Sequence, residues 1–178
     1  LADAEANEEL KQLLKYSSPP EKFAALRNSQ EPQAQFLWSI FRDLFHYCAV
    51  QLEAIAANTR DLDLAVRWGF GWNQGPFEIW QAAGWKQITQ WLQEDIVAGK
   101  TMSQAPLPSW VMEIADGLTE RVHTPQGSFA TTTGKMQPRS QLPVYQRQLF
   151  PDRLMGEEAV YGETIFETDA VRLWHTGD

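Results

Sequence analysis

Cysteine is nearly absent from this sequence: Cys48 is the single one in 178 residues and has no partner in the chain for a disulfide. That excludes a small scaffold stapled by bridges and fits a reducing compartment. Positive charge is also scarce, with 15 Lys and Arg against 23 Asp and Glu, for a net charge of -8. Phosphate contacts dominate nucleic-acid affinity, so DNA and RNA are excluded as expected partners. No uncharged run approaches the ~20 residues of a transmembrane segment, and no basic-then-apolar leader opens the chain. The expected location is therefore cytoplasmic. The common chemistry-bearing signatures are missing as well: no Gly-x-Gly-x-x-Gly after a strand, no P-loop, no His-Glu-x-x-His, no Cys-x-x-Cys, no Gly-x-Ser-x-Gly. His46, His123 and His175 are scattered, and Asp61 and Asp63, two apart, point to different sides of a helix. No metal site and no self-contained catalytic site is expected.

What the chain does have is a globular balance, 43% hydrophobic against 21% charged, and eight tryptophans. Most of the apolar residues recur at helical spacing. Ala6, Leu10, Leu13 and Leu14 predict a first helix. Ser18-Pro19-Pro20-Glu21 has the form of a capping box that opens a second, through Phe23 and Leu26. The longest element is expected over residues 32–57, with Leu37, Phe41, Leu44, Cys48, Leu52 and Ile55 as its stripe. Phe36, Trp38, Phe45, Tyr47 and Val50 leave it little polar face, so it should be a central helix covered on several sides.

Shorter helices follow, each expected to stop at a glycine: Gly69, Gly84, Gly99 and Gly117. Asn58 or Thr59 can cap the first of them, and Gly75-Pro76 starts the second. Beyond Gly117 the pattern turns strand-like. A hairpin is expected around residues 124–127, an irregular strap over 134–153, and two further strands within 160–175 around a turn at Thr168-Asp169. The fold class is a mainly α bundle with a short β-containing C-terminal tail.

The most informative stretch is Asp61-Leu62-Asp63-Leu64-Ala65-Val66-Arg67-Trp68-Gly69-Phe70-Gly71-Trp72-Asn73-Gln74-Gly75-Pro76-Phe77-Glu78-Ile79-Trp80. It reads as helix, tight aromatic turn, then a Gly-Pro helix start. Trp68, Phe70, Trp72, Phe77 and Trp80 can lock that turn into the bundle. A packed corner explains the pattern physically; a ligand site built on the aromatic turn is the competing reading.

This stretch resembles the C-terminal helical domain of 3-hydroxyacyl-CoA dehydrogenases through Asp63, Ala65, Gly69, Trp72, Gly75, Pro76, Phe77 and Glu78. Leu44 to Ala49 and Leu107-Pro108-Ser109-Trp110-Val111 are similar to that family too. The likeness is greatest to its long bacterial multidomain forms, in which a duplicated helical domain precedes an enoyl-CoA hydratase domain. It implies a bundle of the 6-phosphogluconate/3-hydroxyacyl-CoA dehydrogenase C-terminal-domain type over residues 1–117. Residues 118–178 would then be a strap with β-hairpins leading toward the hydratase domain.

The resemblance further implies a parent that binds NAD in an N-terminal Rossmann domain with no counterpart here, and that acts on acyl-CoA in fatty-acid β-oxidation. The implied partners are that domain, the other helical repeat, the acyl-CoA substrate and a second copy in a homodimer. No catalytic residue carries over, because the family's histidine–glutamate pair and active-site asparagine lie in segments missing from this chain. Trp72, Gly75, Pro76, Phe77 and Glu78 inherit a structural or acyl-cleft role. Lys135 and Arg139, in the one basic tract, are candidate phosphate contacts. The expectation is a piece that is inactive alone, against the alternative of a purely structural pseudo-dimer or interaction module.

Overall fold

Proline marks where the helices begin, because its fixed φ suits a first turn whose N–H needs no partner. The computed structural model describes residues 8–16, 18–118, 121–124 and 127–138, with the backbone of 163–167 and 172–175. Among them, Pro19, Pro32 and Pro76 open α2 (Pro19–Asn28), α3 (Pro32–Ile55) and α5 (Pro76–Val97). The remaining helices are α1 (Glu8–Leu13), α4 (Thr59–Phe70) and α6 (Ser109–Ala115). The Asn58 side chain caps α4 by accepting from Asp61 N–H at 3.0 Å, and Glu31 does the same for α3 from Ala34 N–H at 2.8 Å. Ser18 makes no such bond, so the capping box expected at α2 does not form.

Two of the glycine stops are displaced. Helix α4 runs through Gly69 to Phe70 and ends at Gly71, whose φ of 68° is left-handed. Gly84 does not end its helix but kinks α5 (φ 98°, ψ 93°) with no intervening loop. Trp80 Nε1–H donates across the kink to the carbonyl of Trp85 at 3.2 Å.

The core lies between α2, α3, α5 and α6 and is aromatic. Trp80 stacks on Trp85 at 4.2 Å and on Phe45 at 5.4 Å, while Phe77 meets Trp110 edge-on at 5.8 Å. Beside it, buried Asp95 accepts from Trp38 Nε1–H at 2.9 Å and faces Arg27 and Arg42 at 3.3 and 3.7 Å. The buried face of α3 is rotated from the expected stripe. Trp38, Phe45, Cys48 and Leu52 are buried; Leu37, Phe41 and Leu44 pack at the rim, and Ile55 is exposed. Helix α3 is covered on several sides, by α2, α4 and α5, while Phe36, Ile40 and Tyr47 face outward.

Three short antiparallel strands complete this unit in the order β1 (His123–Thr124), β2 (Gly127–Ala130), β3 (Lys135–Pro138). The hairpin was expected; β3 stands where the irregular strap was. All four residues of β2 are buried, and Phe129 stacks on Trp110 at 5.5 Å. The protein is thus mainly helical with a small β portion. Close contacts group the chain into residues 1–138 and residues 139–178. In the second unit β4 (Glu163–Glu167) and β5 (Arg172–His175) form an antiparallel pair, as the strand-like pattern there suggested. The expected turn at 168–169 and the rest of the strap, with Arg139, lie outside the described residues. No helix of the described residues is long and apolar enough to cross a membrane.

Candidate functional site

Helix α5 begins with unpaired backbone N–H groups that need acceptors, and the neighbouring helix supplies them. Asp63 of α4 accepts from Phe77 N–H at 2.9 Å on Oδ1 and from Glu78 N–H at 3.0 Å on Oδ2. Glu78 reaches back to accept from Gly75 N–H at 2.7 Å, and Arg67 approaches its other oxygen at 3.4 Å. This geometry requires glycine at 75: a Cβ there would overlap the Cα, Cβ and Cγ of Asp63.

The sheet converges on the same carboxylate. His123 Nε2 lies 2.7 Å from Asp63 Oδ2, and its Nδ1 lies 2.8 Å from Ser128 Oγ. Gln81 clasps the backbone of His123 on both sides, accepting its N–H at 3.0 Å and donating to its carbonyl at 3.2 Å. Asp63 therefore joins α4, the positive end of α5 and strand β1. Burial raises its pKa, against the lowering effect of the His123, Phe77 and Glu78 hydrogen bonds. Burial raises the Glu78 pKa too. The Cys48 thiol is pushed up to about 12 by burial and then by the charge of Asp63.

Asp63, His123 and Ser128 are ordered like a hydrolase relay, but each is at most 3% exposed. A nucleophile must meet its substrate, and Ser128 is sealed inside β2. The chemistry of this arrangement is fastening: one carboxylate satisfies three donors and holds the sheet on the bundle.

Gly75, Pro76, Phe77 and Glu78 are buried in that junction, and Trp72 sits at its surface, 37% exposed, with its ring 6.4 Å from Phe41. Trp68 and Phe70 are exposed, so only Phe77 and Trp80 of the five aromatics are locked inside. Lys135 lies exposed at the start of β3. Sequence reading missed His123, Ser128 and Gln81; a 60-residue separation between Asp63 and His123 leaves no spacing to detect. Among the described residues no group of three or more His, Cys, Asp or Glu side chains could hold a metal ion.

Comparison with known proteins finds one relative that matches about half of the chain. Over 95 residues, 53% of its length, this chain is 36% identical to a probable 3-hydroxyacyl-CoA dehydrogenase of Bacillus subtilis (strain 168). This chain resembles a dehydrogenase over half its length. The match covers 11% of the relative's own length. No family model matches, and no solved structure matches.

The described residues do not fit NAD. A dinucleotide needs a glycine-rich turn between a parallel strand and a helix N-terminus, and among the described residues the strands are short and antiparallel, with no such turn before a helix.

Proposed function

We propose that this chain is part of an NAD-dependent 3-hydroxyacyl-CoA dehydrogenase of fatty-acid β-oxidation. In it, residues 1–117 are the helical domain that completes the substrate cleft and mediates assembly. The observation that carries the reading is the junction of Asp63 with Gly75-Pro76-Phe77-Glu78, in a chain 36% identical to a probable 3-hydroxyacyl-CoA dehydrogenase over 95 residues. NAD would be held by a Rossmann domain outside this sequence, and residues 118–178 would lead toward a hydratase domain. The proposed partners are that Rossmann domain, a second helical repeat and acyl-CoA, in a cytoplasmic enzyme. Lys135 and Arg139 are proposed phosphate contacts. The chain by itself should be catalytically silent: 3-hydroxybutyryl-CoA with NAD should yield no NADH, and turnover would sink this part of the reading.

The burial of Gly75, Pro76, Phe77 and Glu78 favours a second reading, a purely structural module without ligand contacts. Calorimetric titration with acetoacetyl-CoA separates the two. Heat that Lys135→Glu diminishes supports the cleft role, and silence supports the structural module.

A further inference from the structure

Beside the outer face of α3 lies a recess of about 620 Å³. Phe36, Ile40, Leu44, Tyr47 and Val50 line it, with Met102 and Ser103 from the segment that follows α5. The backbone of that segment is tied to α3 at two points. Met102 N–H donates to Asp43 Oδ1 at 3.0 Å, and the Ala105 carbonyl accepts from His46 Nε2 at 2.8 Å. The recess is therefore preformed, and its size lies within the roughly 300–1,000 Å³ of small-molecule pockets.

The charged groups of the lining are spent on each other. Arg42 pairs with Asp43 at 2.9 Å, and Asp43 Oδ1 also takes the Met102 N–H. The Ser39 hydroxyl donates to the Phe36 carbonyl at 2.7 Å. His46, which also lines the recess, is different. It is 1% exposed, and because a carbonyl only accepts, its Nε2 carries the hydrogen that Ala105 receives. In a neutral imidazole Nδ1 is then an acceptor, and no described residue donates to it. Among the described residues the buried side-chain polar atom that is sealed without a partner is Thr131 Oγ1, so His46 Nδ1 is not sealed; the recess is the space that His46 borders.

We infer that this recess binds an uncharged small molecule with an aromatic or branched aliphatic body and one hydroxyl or N–H group, which donates to His46 Nδ1. The apolar wall takes the body. A ligand without the donor covers Nδ1 and leaves it unpaired, so the donor adds selectivity. A charged ligand loses water here and gains no counter-charge, because Arg42 and Asp43 already neutralise each other. A polyanion such as coenzyme A is disfavoured for the same reason.

Calorimetric titration of thymol, an uncharged phenol with a branched apolar body, into the 178-residue chain tests this. The expected result is saturable one-to-one binding with a dissociation constant on the order of 100 μM. Thymol methyl ether keeps the body and lacks the donor. It should bind about fivefold more weakly, and His46→Phe should remove that difference. Val50→Trp fills the recess from a half-buried position on α3 and should weaken thymol by roughly tenfold or more, with the helical circular dichroism unchanged. Val97→Glu, at an exposed site on α5, should leave binding as it was. Acetoacetyl-CoA should not displace thymol. Absence of thymol binding, indifference to Val50→Trp, an ether that binds as well as the phenol, or displacement by acetoacetyl-CoA overturns the inference. So does a thymol affinity that falls as chain concentration rises, since that marks the face as covered by a second copy.

Discussion

A methyl group at position 75 would stand where Asp63 has to stand, and that makes Gly75 the least replaceable residue of the junction. Gly75→Ala should lower unfolding free energy by ~3 kcal/mol, since the obstruction involves backbone as well as side chain. A urea titration reads this directly. Asp63→Asn keeps the shape but turns an amide toward the three donors of Phe77, Glu78 and His123. It should cost about 2–4 kcal/mol in the same measurement. Cys48 gives a test in pH. Its thiol titrates at about 12 in the fold against 9.0 for an unperturbed group. The stability linked to the neutral thiol is complete below pH 9 and is lost as pH rises toward 12. A difference of three pKa units corresponds to roughly 4 kcal/mol. A Cys48→Ala variant should lack that alkaline decline, and a parallel decline in both proteins would refute the assignment.

At the level of elements, the placement of helices was legible where local chemistry acts alone. Pro19, Pro32 and Pro76 fix helix starts through φ, and Asn58 caps α4 through its own side chain. The outcomes at Gly69 and Gly84 were not legible, because glycine permits a stop without compelling one. Gly84 stays within α5 as a kink whose two sides are tied together by Trp80 and Trp85. Its φ of 98° is strained for any other residue, so Gly84→Ala should destabilise the fold by ~1–3 kcal/mol, seen as a lower thermal midpoint. The stripe on α3 was misplaced for a related reason. Apolar residues surround most of that helix, so its periodicity could not tell which side meets α2 and α5.

Across the molecule, the first sheet is continuous with the helical core. Val122 and Phe129 are buried in it, and Asp63 depends on His123 as a donor. A chain cut after Gly117 should therefore lose about 4 kcal/mol or more relative to one cut after Pro138, from apolar burial alone. Hydrogen exchange of the α4 and α5 amides would show the loss as faster opening at the junction. The three buried acids of this region bias stability in one direction. Asp63, Glu78 and Cys48 all have raised pKa values, so each favours the fold when protonated and disfavours it as pH rises.

Hydrophobic spacing, proline and side-chain caps act over a few residues, and for that reason the sequence by itself determined the helical class, most helix starts and the compact Gly-Pro corner. It also carried, in Asp63 through Glu78, a pattern that resembles the 3-hydroxyacyl-CoA dehydrogenases. Which groups meet over long separations was settled only by tertiary packing. Asp63 and His123 are brought together because α5 and β1 share one buried carboxylate, and Phe36, Ile40 and Tyr47 stay exposed because no element among the described residues packs on that side of α3. No local rule encodes either outcome, since each depends on the direction in which one element leaves another.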